Sequence, residues 1–100
     1  MVQATTPTFI LTLPASVDLS EASSVVFSAA QEQHTIEKTG TDLTIDGLTV
    51  SVYLSQAETL QLHAGTLKIQ LNWVYADGSR AATDVKTVRV TENLLKRVIS

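Results

Sequence analysis

The chain of 100 residues contains no cysteine and only two prolines, and aromatic residues make up only 5% of it. Without cysteine there is no disulfide framework and no thiolate nucleophile, which excludes a small secreted fold held together by disulfides. Because aromatic residues are scarce, the hydrophobic fraction of 44% must form a core of aliphatic, often β-branched, side chains. Such a core favours strands, and this length favours one domain.

Positive charge is also scarce. Seven basic residues stand against ten acidic ones, the formal net charge is −3 and the pI is about 5.1. Nucleic-acid binding normally needs a concentrated basic face, because its affinity comes from neutralising phosphates. Only four residues could form such a face: Lys86, Arg89, Lys96 and Arg97. A solvated strand edge and helix end explain them more simply, so we expect no nucleic-acid partner.

Long apolar runs are missing as well. No segment approaches the roughly 18 consecutive apolar residues that span a bilayer. Residues 1–7 lack the basic start and the apolar stretch of a signal peptide. We therefore expect no membrane partner, no signal peptide and synthesis in the cytoplasm. Residues 1–7 are expected to form a flexible leader that becomes ordered only where something pairs with it.

The strongest pattern lies in residues 66–90, which read as two strands joined by a tight turn at residues 76–79. In the first arm, apolar residues occupy the odd positions up to Trp73 and Tyr75, so one face is apolar and the other is mostly polar. In the second arm, the apolar positions change from odd at Val85 to even at Val88. A β-bulge or a strand that switches sheets would explain this change.

Weaker alternation and turn signals predict the remaining elements. The dipeptide Asp46-Gly47 predicts a two-residue hairpin, and Ser55 with Glu58 predicts the capping box of a short helical connection. Residues 17–22 are expected to form one helical turn or a loop, and the short strand at residues 35–37 is expected at a sheet edge. The predicted strands comprise residues 8–13, 25–29, 35–37, 43–45, 48–54, 66–75 and 80–90.

The fold class predicted from these strands is all-β: an immunoglobulin-like antiparallel β-sandwich of about seven strands with a short C-terminal helical tail. The paired cysteines that mark true immunoglobulin domains are absent. The predicted sandwich comprises residues 8–90 and the tail comprises residues 91–100. Trp73 and Tyr75 are expected in the core, whereas Tyr53 is out of phase with its neighbours and is a candidate surface aromatic.

The tail carries the candidate protein interface. Its apolar residues fall at the spacings expected for one face of a short helix: Leu94, Leu95, Val98 and Ile99. Ten residues are marginal for an isolated helix in water, so either this stripe packs back on the domain or it meets another chain. Open strand edges, and residues 2–8 as an added strand, offer a second route to a protein partner.

Catalytic and metal-binding signals are weak. Neither His34 nor His63 has a further ligand at a recognised spacing, and no local motif orients a serine nucleophile. Turn and capping chemistry explains the acidic residues at the predicted turns more simply than calcium does: Asp18, Glu21, Asp42, Asp46 and Asp77. We expect no enzymatic activity, no cofactor and no metal. The alternative function is carbohydrate binding or adhesion, with sugars stacked on Tyr53.

Residues 53–90 resemble a known group of proteins. The resemblance rests on the order of short motifs: Ser55-Gln56-Ala57-Glu58-Thr59-Leu60, Gly65, residues 68–73, residues 76–80 and Thr87-Val88. This order is similar to small phage and prophage structural proteins, and most of all to the N-terminal domain of phage baseplate upper proteins. The resemblance implies a β-sandwich that is made in the bacterial cytoplasm and assembles into the virion. It implies a non-enzymatic structural role, with copies of itself or other phage subunits as partners.

Overall fold

The computed structural model describes residues 1–99. Its strands are β1 (Thr8–Thr12), β2 (Ala22–Gln31), β3 (His34–Thr39), β4 (Leu43–Asp46), β5 (Thr49–Tyr53), β6 (Gly65–Tyr75), β7 (Arg80–Ala82) and β8 (Lys86–Val90). Helix α1 is Gln56–Leu60, and two 3-10 turns lie at Leu19–Glu21 and Gly40–Asp42. Among these residues, no helix is long and apolar enough to cross a bilayer.

The strands form two antiparallel sheets. The small sheet has the order β1-β5-β4, and the large sheet has the order β3-β2-β6, with β7 and β8 both paired to β6. The predicted all-β class is confirmed, with eight strands in the described residues instead of about seven. In an immunoglobulin domain the second strand lies beside the fifth, whereas here β2 lies between β3 and β6. The immunoglobulin-like topology is therefore not confirmed.

One hydrophobic core lies between the two sheets. β6 buries alternate residues from Leu67 to Trp73, as its sequence pattern predicts, and β5 contributes Val50 and Val52. Phe9 of the small sheet stacks on Phe27 of the large sheet, with their ring centroids 6.0 Å apart. Burial of each large aliphatic side chain contributes about 1.5–3 kcal/mol. Alternation thus sends every second residue of these strands to the core and the rest to the outer faces.

The second arm of the 66–90 pattern contains the predicted bulge. Trp73 pairs with Ala81, but Leu67 pairs with Val88, so the register moves by one residue between β7 and β8. Because Trp73 and Leu67 share the core face of β6, the shift brings an odd residue of β7 and an even residue of β8 to that same face. Both strands pair with β6, so the alternative of a strand that switches sheets is wrong.

The hairpin between β4 and β5 is confirmed, with its turn one residue later than predicted. Asp46 pairs with Thr49, so the two central residues are Gly47 and Leu48. Gly47 has a φ of +59°, a conformation that residues with a Cβ rarely adopt. A positive φ at the first central residue is characteristic of a type II′ hairpin turn, which matches the twist of the flanking strands.

The two ends of the described chain pair with each other. Val2 forms a parallel bridge with Thr91, the Gln3 amide donates to the Thr91 carbonyl at 2.9 Å, and the Thr91 amide donates to the Met1 carbonyl at 2.8 Å. The leader is therefore ordered by its own chain, and Gln3 and Ala4 are buried. The sequence also suggested that residues 2–8 add a strand to another chain. The pairing with Thr91 competes with that contact, because it already involves the first of these residues.

The predicted C-terminal helix is wrong. Residues 92–99 contain no helical element. A helix of this length gains few internal hydrogen bonds for the cost of its first turn. Instead, the Leu95 amide donates to the Asn93 side chain, and the backbone of Ile99 bonds to the Gln56 side chain. The apolar residues of this segment consequently do not form a helical stripe.

Candidate functional site

The C-terminal segment, defined here as residues 92–99, exposes all four of the predicted interface residues. Leu94 is 97% exposed, which is an extreme value for a leucine. The other three apolar residues of the segment are also exposed: Leu95, Val98 and Ile99. Exposed aliphatic side chains mark an interaction surface where they form a contiguous patch, whereas single ones are common on protein surfaces.

The backbone of the C-terminal segment is held on the domain at both ends. At its start, the Asn93 side-chain amide donates to the Gln3 carbonyl at 3.0 Å. At its end, the Gln56 side chain donates to the Ile99 carbonyl at 3.0 Å and accepts from the Ile99 amide at 2.9 Å. The sequence left two alternatives, packing on the domain or meeting another chain. The backbone packs on the domain, while the apolar side chains remain available to contact another chain.

The buried side chain of Gln3 connects three parts of the chain. Its Nε2 donates to the Leu62 carbonyl at 2.6 Å, and its Oε1 accepts from the Asn93 amide at 3.5 Å. Gln3 thereby joins the leader to the loop after α1 and to the start of the C-terminal segment. Sequence reasoning missed this residue, because a glutamine in a polar leader carries no signal that distinguishes it from a solvated one.

Helix α1 lies against the large sheet through one ion pair. The predicted capping box is present: Ser55 Oγ accepts from the Glu58 amide at 3.2 Å, and Glu58 Oε1 accepts from the Ser55 amide at 2.9 Å. The other carboxylate oxygen of Glu58 lies 2.6 Å from Lys38 Nζ of β3. Burial raises the pKa of Glu58, but the hydrogen bonds from Lys38 and Ser55 outweigh it and hold the pKa below its ordinary value.

The four sheet edges of the described chain differ in how they are protected. Charged side chains, short strands and bulges are the usual means of blocking an open edge. Edge strand β3 carries Glu37 and Lys38, and edge strand β4 is short and ends at Asp46. The β7–β8 edge has the bulge and three basic residues: Arg80, Lys86 and Arg89. Only β1 has neither a charged residue nor a bulge.

The backbone groups along one side of β1 have no neighbouring strand. The Leu54 amide donates to the Pro7 carbonyl at 3.0 Å, and the Leu13 amide donates to the Leu48 carbonyl at 2.8 Å. In an antiparallel pair, residues alternate between bonding the partner strand and pointing away from it. The even residues of β1 therefore point their N–H and C=O groups away from β5: Thr8, Ile10 and Thr12.

The outer face of the small sheet is uncharged except at one corner. Ile10 is 67% exposed and Tyr53 is 54% exposed on this face, and Tyr53 pairs with Thr8. Asp46 supplies the charge. The other side chains of the face carry hydroxyl groups: Thr8, Thr12, Thr44, Thr49 and Ser51. The structure thus places the candidate surface aromatic Tyr53 on an exposed and largely neutral sheet surface.

The basic residues considered for nucleic-acid binding do not share one face of β8. Residues three apart in a strand point to opposite sides. Lys86 pairs with Ile69 and Arg89 pairs with Thr66, which places these two side chains on opposite sides of the sheet. Lys96 lies in the C-terminal segment, where its Nζ is 2.7 Å from Glu92 Oε1. The pattern does not concentrate positive charge on one strand face.

Three of the acidic and histidine residues singled out from the sequence take part in hydrogen bonds that stabilise turns and loops. Asp18 accepts from the Ser20 amide at 3.0 Å. Hydrogen bonds from the Ser79 hydroxyl and amide lower the pKa of Asp77. The backbone of His63 is bonded at both its N–H and its C=O by the Gln31 side chain. Within residues 1–99, no group of three or more His, Cys, Asp or Glu side chains could hold a metal ion.

Two surfaces therefore stand out in the described part of the chain: the apolar side chains of residues 92–99 and the unprotected edge of β1. Open strand edges and exposed apolar segments are features that protein partners commonly use. Comparison of the chain with models of protein families, with curated proteins and with solved structures finds no match in any of the three.

Proposed function

We propose that this protein is a non-enzymatic assembly module of a phage or prophage tail or baseplate, and that it buries the apolar residues of its C-terminal segment against another subunit. The observation that carries the proposal is the exposure of Leu94, Leu95, Val98 and Ile99 on a backbone that is fixed at both ends. A fixed segment loses little conformational entropy on binding, so more of the contact free energy appears as affinity.

The expected strength of this contact follows from its side chains. Burial of one large aliphatic side chain contributes about 1.5–3 kcal/mol, and Leu94 is almost fully available for such burial. Leu95, Val98 and Ile99 are 41–57% exposed, so each contributes less than Leu94, and part of the total offsets the cost of association. The four side chains are aliphatic and carry no charge. The partner surface that contacts them is therefore expected to be apolar as well.

The assignment to a phage or prophage virion follows from the resemblance of residues 53–90 to the N-terminal domain of phage baseplate upper proteins. The fold in this proposal is a two-layer β-sandwich that is immunoglobulin-like in its layers, since sandwiches share this architecture with different strand orders. Its partners are copies of itself or other structural subunits of the particle. The protein is located in the virion after its synthesis in the bacterial cytoplasm.

The first experiment removes the apolar side chains and keeps the backbone. The variant Leu94→Ser/Leu95→Ser/Val98→Ser/Ile99→Ser is compared with the wild type by sedimentation velocity over a wide concentration range. Val85→Ser is the matched control, because Val85 is also an exposed aliphatic residue but lies at the bulge. We expect association to be strongly reduced in the quadruple variant and kept in the control. Equal association of all three proteins would contradict the proposed surface.

The virion assignment has its own test. Tagged wild-type protein and the quadruple serine variant are expressed in the bacterium that carries the gene, and phage particles are induced and purified. We expect the wild type in intact particles by immunoblotting, and a strongly reduced amount of the variant. Absence of the wild type from purified particles would reject the virion assignment while leaving the assembly surface to the sedimentation experiment.

Carbohydrate binding or adhesion is the second candidate, and the exposure of Tyr53 on a hydroxyl-rich sheet face favours it. A tyrosine ring can stack on the apolar face of a sugar, and neighbouring hydroxyls can exchange hydrogen bonds with it. A glycan array with the wild type and with Tyr53→Ala separates the two functions. A glycan signal that is lost in Tyr53→Ala and kept in the quadruple serine variant would favour this candidate over assembly.

A further inference from the structure

We infer that the open edge of β1 pairs antiparallel with β1 of a second copy of this chain, so that the two small sheets join into one continuous sheet. The inference deepens the proposed assembly function and rests on it, but it uses a different surface from the C-terminal segment. It begins from the backbone of Thr8, Ile10 and Thr12, whose N–H and C=O groups point away from β5. Such a row of groups is a template for another strand.

The uncharged side chains of this edge favour a second copy as the occupant. In a two-fold symmetric contact, each residue lies opposite the equivalent residue of the second copy or another residue of the same short segment. A charged residue on such an edge can therefore lie close to the same charge of the second copy, which is unfavourable. β1 has the sequence Thr-Phe-Ile-Leu-Thr and therefore creates no repulsion against itself. The edges at β3 and at β7–β8 carry charges, which makes the same symmetric contact costly there.

The geometry of the contact follows from the alternation of the strand. A two-fold axis at Ile10 places Ile10 opposite Ile10 of the second copy and Thr8 opposite Thr12 of the second copy. All three pairs are of the hydrogen-bonded type, so about six hydrogen bonds form between the chains. Pro7 and Pro14 flank the edge and limit the contact to β1. The two exposed Ile10 side chains then cover each other.

The contact is short, so we expect a weak dimer. Two paired strands of this length bury less than the roughly 800 Å² per partner of a standard interface. In an assembled particle, contacts through the C-terminal segment would hold copies at high local concentration, and a weak edge contact would then form readily.

The decisive experiment uses a disulfide at the symmetry axis. The chain contains no cysteine, so Ile10→Cys introduces a unique thiol. Directly opposed residues of a hydrogen-bonded pair lie about 5.5 Å apart between their Cα atoms, within the range of about 4.4–6.8 Å that a disulfide requires. We expect Ile10→Cys to form a covalent dimer under mild oxidation, as seen on a non-reducing gel. Thr44→Cys is the control, on the same face at the opposite edge.

Equal or slower crosslinking of Ile10→Cys relative to Thr44→Cys would overturn the inference. A second variant, Ile10→Lys, places two ammonium groups at the axis and is expected to weaken the dimer at least tenfold in sedimentation equilibrium, whereas Thr44→Lys leaves it unchanged. Equal dimerisation of both lysine variants would also overturn it. Circular dichroism melting curves of the two lysine variants are expected to coincide, since both residues are exposed.

The two proposals can fail independently. If Ile10→Cys does not crosslink preferentially but the quadruple serine variant loses association, the β1 contact is rejected and the assembly surface stands. If Ile10→Cys crosslinks preferentially in both the wild-type and the quadruple serine background, the β1 contact stands whatever the C-terminal segment does. The Ile10→Cys variant in both backgrounds therefore distinguishes the two failures.

Discussion

The hydroxyl of Thr83 accepts a hydrogen bond from the Leu71 amide at 3.1 Å, at the point where β7 and β8 differ in register by one residue. The Thr83 amide in turn donates to the Leu71 carbonyl at 2.9 Å. A side chain thus replaces the backbone acceptor that the bulge removes from the ladder. The bulge keeps the β6 backbone satisfied while it brings Val88 and Val90 to the core face.

Removal of this hydroxyl is expected to destabilise the domain. Thr83→Val leaves the Leu71 amide without its acceptor inside the sheet, which costs about 1–3 kcal/mol. Thr83→Ser keeps the hydroxyl and is expected to retain most of the stability. Thr87→Val is the matched control, because Thr87 is a threonine at an exposed position of β8. Urea unfolding curves measure the difference, and equal midpoints for Thr83→Val and Thr87→Val would show that the hydroxyl is not needed.

Trp73 is expected to be the most sensitive core position in β6. Its side chain is only 4% exposed, and its Nε1 donates to Tyr75 Oη at 3.0 Å. Trp73→Ala removes a large buried side chain and is expected to cost about 3–5 kcal/mol, which lowers the melting temperature strongly or unfolds the domain. Tyr75→Phe removes only the acceptor and is expected to cost about 1 kcal/mol. An unchanged melting temperature for Trp73→Ala would contradict its place in the core.

Gln3 is expected to control the order of both ends of the described chain. Gln3→Ala removes the hydrogen bonds from its side chain to Leu62 and Asn93, and we expect faster hydrogen exchange at the Thr91 amide, which is bonded to Met1. Exchange in β6 is expected to change little, because the hydrogen bonds of Gln3 involve no residue of β6. Gln61→Ala, which alters an exposed glutamine next to Leu62, serves as the control. Protection of Thr91 that is equal in both variants would rule out this role.

The ion pair between Lys38 and Glu58 is expected to make stability depend on acid pH. The pKa of Glu58 in the folded protein lies below its ordinary value of 4.5. The ionised Glu58 carboxylate therefore adds to the free energy of unfolding above about pH 4.5. This contribution is lost as the pH falls through the lowered pKa. Glu58→Gln keeps a capping-box acceptor but removes the charge, so its loss of stability between neutral and acid pH is expected to be smaller than that of the wild type.

Thermal unfolding as a function of pH measures this difference. Glu92→Gln is the control, because Lys96 also lowers the pKa of Glu92 but both side chains are exposed, and exposed ion pairs contribute little. Parallel pH profiles for the wild type and Glu58→Gln would contradict a role of the ion pair. A flatter profile for Glu92→Gln than for Glu58→Gln would assign the acid sensitivity to the C-terminal segment instead.

Local sequence patterns predicted the strands well and the tail poorly. The alternation in β6 and the capping box at Ser55 depend on residues that are close in sequence, so they could be recognised without a structure. The spacing of Leu94 and Val98 also matched a helix, but the backbone of the segment found partners elsewhere. For the candidate site, the sequence identified the exposed apolar residues of the tail and the exposed Tyr53. It could not show that Gln3 and Gln56 anchor the tail.

The sequence by itself determined the all-β class and the core face of each long strand, because side-chain alternation in a strand has a fixed period of two. For the change of apolar face in the second arm it left a bulge and a sheet switch open, and the pairing of both strands with β6 decided between them. Tertiary structure alone decided the strand order, the pairing of residues 1–3 with residues 89–93 and the open edge at β1. These features depend on which distant segments meet. Contacts between distant segments have no local sequence signature, since many pairings would satisfy the same alternation and only the packed core selects one of them.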